Sequence, residues 1–346
     1  MASKGLGNVV ELQRPWQGVG PFIFGSHHVD AYPAAAKGTL GPPAADLKGR
    51  NIGMDMRNAS GTGWNMYHGE KIPGFPAHPH TGFETVSIVG SGTVDHADSL
   101  GAGARYGKGD VQWVTTGRGV VHSEMFPLLR DDAPNPFEMY QLWLNLPAAK
   151  KKVPAEFTMQ WDEKIPIVRR ETGQGCASVR VIAGSFDGVD PLPPPKNSYA
   201  ADKEGDVAIW LIEMEPRSAI KLPAMNTDKT ERMLYVHKGG AASIDGQTVT
   251  DGNGFKQTKN DRLTITNGPK HTTILVLQGV PINEPYVQRG PFVTNSEQEL
   301  NQAFAEYQRT QFGGWPWDSD QPVYPRDEPR FAIHGKGQQK EYPTDK

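Results

Sequence analysis

The sequence predicts an all-β protein of two tandem barrels or sandwiches, followed by one helix and an extended tail. Three observations carry this. The 346 residues include 39 glycines and 29 prolines, about a fifth of the chain against an average near ~12% and below the ~25–30% of disordered chains. Hydrophobic residues make up 37% and charged residues 22%, enough apolar mass for a folded core. Short alternating apolar segments, punctuated by glycine, recur in two separate series. At roughly 150 residues per domain, the length accommodates two such bodies.

The elements follow in order. Residues 1–70 are rich in Gly, Ala and Pro, with apolar pieces such as Pro21-Phe22-Ile23-Phe24. They read as an N-terminal extension of strand fragments and long loops. Residues 71–150 form the core of the first barrel. There Thr85-Val86-Ser87-Ile88 alternates, Gly90-Ser91-Gly92 turns the chain and Thr93-Val94-Asp95-His96 alternates again, which predicts a β-hairpin. Gly107-Lys108-Gly109-Asp110 turns into a strand at Val111 to Val114, and further strands are expected at Val120 to Met125 and Gln141 to Leu146. Pro147 to Gly175, with Lys150-Lys151-Lys152, reads as a connector with solvated lysines, giving a linker over residues 151–175.

A second barrel is expected over residues 176–290. Its strands are Val179 to Ile182, Val207 to Met214, Met233 to His237, Leu263 to Thr266 and Thr273 to Gln278. Pro191-Leu192-Pro193-Pro194-Pro195 is donor-poor and reads as a surface loop. The two series resemble one another at an offset of 149, Gly90 falling on Gly239 and His122 on His271, which predicts an internal duplication. Residues 291–346 hold a helix over Glu297 to Arg309. Ser296 is its N-cap, Glu299 stands at N3, and Leu300, Ala303, Phe304 and Tyr307 line one face. Beyond Phe312, Trp315-Pro316-Trp317 pins the start of an extended tail with a frayed polar end.

Charge and cysteine content exclude several functions. Lys plus Arg number 36 and Asp plus Glu 39, a net charge of −3, so the basic surface needed for direct nucleic-acid binding is missing. Cys176 is the single cysteine, which rules out an intrachain disulfide and reads as a small hydrophobe. Met1 to Gln17 lacks the apolar core of a signal peptide, and no apolar run reaches the ~18–20 residues that span a bilayer. The expectation is a cytoplasmic protein without membrane contact.

Four residues carry the chemistry. His78-Pro79-His80 is an H-x-H and His122-Ser123-Glu124 an H-x-E. On extended strands each i, i+2 pair projects to one side, so two such strands facing one cavity assemble three imidazoles and a carboxylate. That set suits a divalent transition metal, with Fe(II), Mn, Ni, Cu and Zn all admissible, and leaves positions open for substrate. The offset positions Thr227, Lys229 and Thr273 carry no ligand pattern, so only the first barrel is expected to hold metal. His27-His28 reads as surface, with the lining of a cavity mouth as the alternative, while His68, His96, His237 and His334 have no partner spacing.

The stretch His78-Pro79-His80-Thr81-Gly82-Phe83-Glu84-Thr85 resembles the pirin family of the cupin superfamily, as do Gly109-Asp110-Val111-Gln112-Trp113 and Gly117-Arg118-Gly119-Val120-Val121-His122-Ser123-Glu124-Met125. Gln141-Leu142-Trp143-Leu144-Asn145-Leu146 and Gly290-Pro291-Phe292-Val293 fit the same family, from about Pro21 to Phe312, and the tail resembles a longer bacterial branch. The resemblance implies a bicupin of two double-stranded β-helix (jelly-roll) barrels. It implies iron, Fe(II) in the working form, held by His78, His80, His122 and Glu124. Thr81 stands where the family often carries Arg, and Ser26 to Trp64 is longer than in short members.

The activity so implied is that of a quercetin 2,3-dioxygenase-like enzyme acting on a small aromatic, flavonol-like substrate and dioxygen. Glu124 is the candidate general base, and Phe75, Phe83 and Trp113 are candidate walls of the cavity. The alternative is a metal-dependent redox sensor or regulatory binding protein without turnover, which requires a protein partner.

Overall fold

The computed structural model describes residues 5–56, 61–172 and 174–343. Strands account for 44% of the chain and helices for 9%. From the N-terminus come β1 (Gly7–Glu11), β2 (Trp16–Gln17), β3 (Phe22–Tyr32), the one-turn helix α1 (Ala44–Leu47) and β4 (Gly74–His80). Next are β5 (Phe83–Ser91), β6 (Thr93–Asp98), β7 (Gly103–Gly107), β8 (Val111–Thr115), β9 (Val120–Met125) and β10 (Asn135–Asn145). Then follow β11 (Glu156–Gln160), β12 (Ile167–Thr172), β13 (Gly175–Ala183), β14 (Ala208–Met214), β15 (Ala219–Leu222) and β16 (Glu231–Lys238). The series closes with β17 (Ala241–Ile244), β18 (Gln247–Thr250), β19 (Asn253–Gln257), β20 (Leu263–Asn267) and β21 (Thr272–Gly279). A ribbon of β22 (Val287–Arg289) and β23 (Phe292–Thr294) leads into helix α2 (Glu297–Thr310), and β24 (Phe331–Ile333) lies in the tail. No helix among the described residues is long and apolar enough to cross a membrane.

Two compact units emerge, neither contiguous in sequence. One comprises Ser26–Leu142, Ala148–Glu163 and Glu284–Lys346, the other Met1–Gly25, Trp143–Pro147 and Lys164–Asn283. The first holds the strand orders β11-β8-β5-β10-β3 and β24-β7-β6-β9-β4, while β2 and the residues of β3 that it pairs, Phe24 and Gly25, fall in the other. Those of the second run β1-β19-β16-β21-β14-β13-β12 and β15-β20-β17-β18. The central orders match: β8-β5-β10-β3 answers β19-β16-β21-β14, and β7-β6-β9-β4 answers β18-β17-β20-β15. The expected duplication is therefore present as one double-sheet topology built twice.

The sheet pairing revises three sequence expectations. Residues 85–96 do not form a hairpin, because β5 pairs with β8 and β10 while β6 pairs with β7 and β9. Gly92, at φ +82°, turns the chain from one sheet to the other. Alternation with period two marks a strand but not its partner. The stretch read as a connector contains two strands. Phe157 and Met159 of β11 are buried alongside β8, and Val168 of β12 is buried along β13. Finally, the offset of 149 carries His122 to the turn before β21, whereas the topological partner of β9 is β20.

Helix α2 matches its expected span, and Ser296 Oγ accepts from Glu299 N at 3.2 Å. Its apolar face covers the outside of β9. Leu300 is fully buried with Val121, Phe292 and Phe312, and Ala303, Phe304 and Tyr307 pack against them. The described part of the tail is extended and held at several points. Trp317 Nε1 donates to Asp98 O at 2.8 Å, and β24 adds to the edge of β7.

Candidate metal centre

Strands β4 and β9 lie antiparallel, His78 opposite His122 and Phe75 opposite Glu124. Between these pairs β4 carries one extra residue, a bulge, which is where a strand tolerates a proline such as Pro76. The bulge leaves Pro76 O free to accept the Nδ1–H of His78 at 2.7 Å. A neutral imidazole has one N–H, so His78 Nε2 keeps its lone pair for the cavity. His80, one strand period on, faces the same way and packs edge-on to Phe83.

The three imidazoles close on one point. Their ring centroids are 4.5 to 4.7 Å apart, and their nearest donor atoms all lie within 4.8 Å of one another. His78 Nε2 and His122 Nε2 are 3.1 Å apart. Two nitrogens bound at right angles to a metal at ~2.1 Å stand about 3.0 Å apart, so this spacing fits a divalent transition ion. His122 Nδ1 is buried without a hydrogen-bond partner among the described residues. Burial pushes His78 down to about 4 and holds His80 and His122 well below the ordinary imidazole range, with the neighbouring imidazoles adding to the effect. All three are neutral at pH 7, the state that ligates metal. His78, His80 and His122 are positioned to bind a metal.

Glu124 completes the edge of the cluster. Its Oε2 lies 3.8 Å from His122 Nε2 and accepts from Gln141 Nε2 at 2.8 Å, while Oε1 accepts from Ser87 Oγ at 3.1 Å. Burial raises its pKa, opposed by His96 and by hydrogen bonds from Gln141, Ser87 and Tyr106.

Ser26 and His28 of β3, Phe75 and His78 of β4, and Gln141 of β10 are partly exposed. His28 Nδ1 is 2.9 Å from Tyr67 Oη, which donates to Asp30 Oδ2 at 2.7 Å. With Tyr67 so committed, His28 donates through Nδ1 and presents Nε2 as an acceptor, 3.1 Å from Ser26 Oγ. Phe75 packs against both His28 and His78. Phe83 and Trp113, expected as walls, are fully buried.

The chain was compared with known proteins. The family model described as Pirin matches residues 52–144, and that described as Pirin C-terminal cupin domain matches residues 209–313. A Vibrio cholerae protein provisionally named a quercetin 2,3-dioxygenase is 34% identical over 242 residues, 70% of this chain and 80% of the relative. This chain belongs to the pirin family. A Pseudomonas aeruginosa relative with the same provisional name is 32% identical over 239 residues, 69% of this chain and 79% of its own. The crystal structure of quercetin 2,3-dioxygenase from Acinetobacter baumannii superposes with a TM-score of 0.67 at 26% identity, covering 90% of this chain and 93% of that one. The two double-sheet units are thus the tandem cupin barrels of a pirin.

Within this pirin the second cupin fills the corresponding place with hydrocarbon. Ile220 and Leu222 of β15 pair with Ile265 and Leu263 of β20, and all four are at most 4% exposed in the core. His271 lies outside, exposed and 3.2 Å from Glu213. Sequence reasoning missed Gln141, Ser87 and Tyr106 as partners of Glu124. It also set aside His96, which is buried opposite Glu124 with its ring 5.4 Å from that of His122. Only cross-strand register brings it there. His27 and His28, read as surface, are both bonded, His27 Nε2 lying 2.9 Å from Glu138 Oε1.

Proposed function

We propose that this pirin is a mononuclear metal-dependent dioxygenase of the quercetin 2,3-dioxygenase type, using Fe(II) and acting on a flavonol-like substrate with dioxygen. The observation that carries the reading is the neutral imidazole trio with a buried carboxylate beside it and the partly exposed Phe75 packed on His78. The names of its relatives point the same way.

His78, His80 and His122 hold the ion, with Glu124 as a fourth, weaker ligand. When bound, the metal supplies a Lewis acid and a template for substrate hydroxyl and dioxygen. The protein residues do the rest. Glu124, its basicity raised by burial, takes the proton of the substrate hydroxyl at a carboxylate oxygen. Gln141 and Ser87 fix that carboxylate in place. Phe75 offers a face for an aromatic ring.

Oxygen uptake by the Fe(II)-loaded protein with quercetin and related flavonols tests the reading. Uptake in wild type that disappears in His80→Ala is expected. No uptake in wild type, or uptake that survives His80→Ala, overturns it.

A further inference from the structure

His96 is a buried polar group that the proposed chemistry does not use. It is 1% exposed, and among the described residues neither of its ring nitrogens has a hydrogen-bond partner. An unpaired buried polar atom carries its full desolvation cost, so a native histidine in this state calls for an explanation. Its surroundings narrow the choice. The register of β6 on β9 sets His96 opposite Glu124 and Asp98 opposite His122. The His96 ring stands 5.4 Å from that of His122 and 5.3 Å from that of Phe157, edge-on to each. Asp98 Oδ1 is committed to Leu100 N at 2.8 Å and Ala102 N at 3.0 Å, while Oδ2 lies 3.6 Å from His96 Nε2.

His122 has to move a proton when metal binds. The Nδ1–H of His78 is spent on Pro76 O, so the hydrogen bond between the two Nε2 atoms, at 3.1 Å, needs the proton on His122 Nε2. That nitrogen ligates a metal only after the proton has moved to Nδ1. His122 Nδ1 is buried without a partner among the described residues, so the moved proton needs an acceptor inside the barrel. The second barrel, which lacks the ligands, lacks this arrangement too. On β17, the strand that answers β6, Ile244 faces Ile265 of β20 within the hydrocarbon core.

We propose that His96 is a positioning residue of the metal centre, the acceptor that fixes His122 as its Nδ1–H tautomer. Asp98 takes the Nε2–H of His96, which leaves the His96 Nδ1 lone pair for the His122 proton. One ordered water bridges the two rings, which make no direct hydrogen bond. No proton is gained or lost, since one moves from Nε2 to Nδ1 of the same ring. This role rests on the metal-binding imidazoles and is independent of oxygenase turnover.

Affinity for Co(II), measured by competition with a chelator of known strength, tests the role in wild type, His96→Leu and His96→Gln. Losing a group that orients a ligating histidine typically costs about 10–100-fold in affinity, and His96→Leu is expected to show that loss. His96→Gln keeps a buried acceptor and recovers most of it. The metal-free Tm of His96→Leu is expected to equal or exceed that of wild type, because hydrocarbon replaces a ring that has no partner. A merely structural histidine would lower it. Unchanged affinity in His96→Leu, an equal loss in His96→Gln, or a fall in the metal-free Tm overturns the role. Failure of wild type to bind Co(II) overturns it together with the metal centre. None of these readouts needs turnover, so a failed oxygen-uptake assay counts against the oxygenase reading alone.

Discussion

His78 Nε2 faces His122 Nε2 across 3.1 Å, while the other nitrogen of His78 is tied to Pro76 O. In the metal-free protein two neutral imidazoles at this distance share one hydrogen bond, and both nitrogens become ligands once the His122 proton sits on Nδ1. At a free divalent metal concentration a hundredfold above Kd, the gain in folding stability is ~2.7 kcal/mol. Thermal unfolding with and without metal reads it as a rise in Tm. In His122→Ala that rise disappears.

Gln141 holds Oε2 of Glu124, the oxygen 3.8 Å from His122 Nε2. Removing such a support from a ligand typically costs about 10–100-fold in metal affinity. Competition against a chelator of known strength is expected to show this loss in Gln141→Ala, with circular dichroism unchanged. An unaltered affinity would place Glu124 outside the coordination sphere.

The buried imidazoles make the metal-free protein acid-sensitive. His28 and His78 are both lowered from 6.5 to about 4, chiefly by burial. Between those values the unfolded chain binds protons that the folded chain refuses. Stability is therefore complete above pH 6.5 and declines as pH falls toward 4, by up to about 3 kcal/mol for each group. Urea midpoints at pH 7.5 and pH 5 should show the decline, and His28→Asn should make it shallower.

Arg105 clamps the tail. Its Nε and Nη2 reach the two carboxylate oxygens of Asp95 at 2.7 Å each, and its remaining donors reach Tyr324 O at 2.8 Å, Pro325 O at 2.5 Å and Glu328 O at 3.0 Å. Arg105→Ala leaves Asp95 buried without its partner, a change that costs about 3–5 kcal/mol. Calorimetry should register the loss, and limited proteolysis should cut near residue 326 sooner than in wild type.

The imidazole trio was legible in the sequence because strand geometry gives i, i+2 spacing a fixed meaning, and strands predicted at Val120 to Met125 and Thr273 to Gln278 match β9 and β21 closely. What escaped depends on partners distant along the chain. His96 reaches the site through its register with Glu124, and Lys151, expected as solvated, is buried with its Nζ donating to the distant Gly82 O at 2.8 Å. The offset failed for a simpler reason: β9 and β10 are joined by residues 126–134 but β20 and β21 by 268–271, so no constant shift survives from one barrel to the next.

Ile220, Leu222, Leu263 and Ile265 close the second barrel without any polar group at the place where the first keeps its histidines. The chain thus contains its own control experiment. The same double-sheet fold forms with a ligand cluster at this place and without one, so a few side chains separate a copy that is positioned to bind a metal from one that is not.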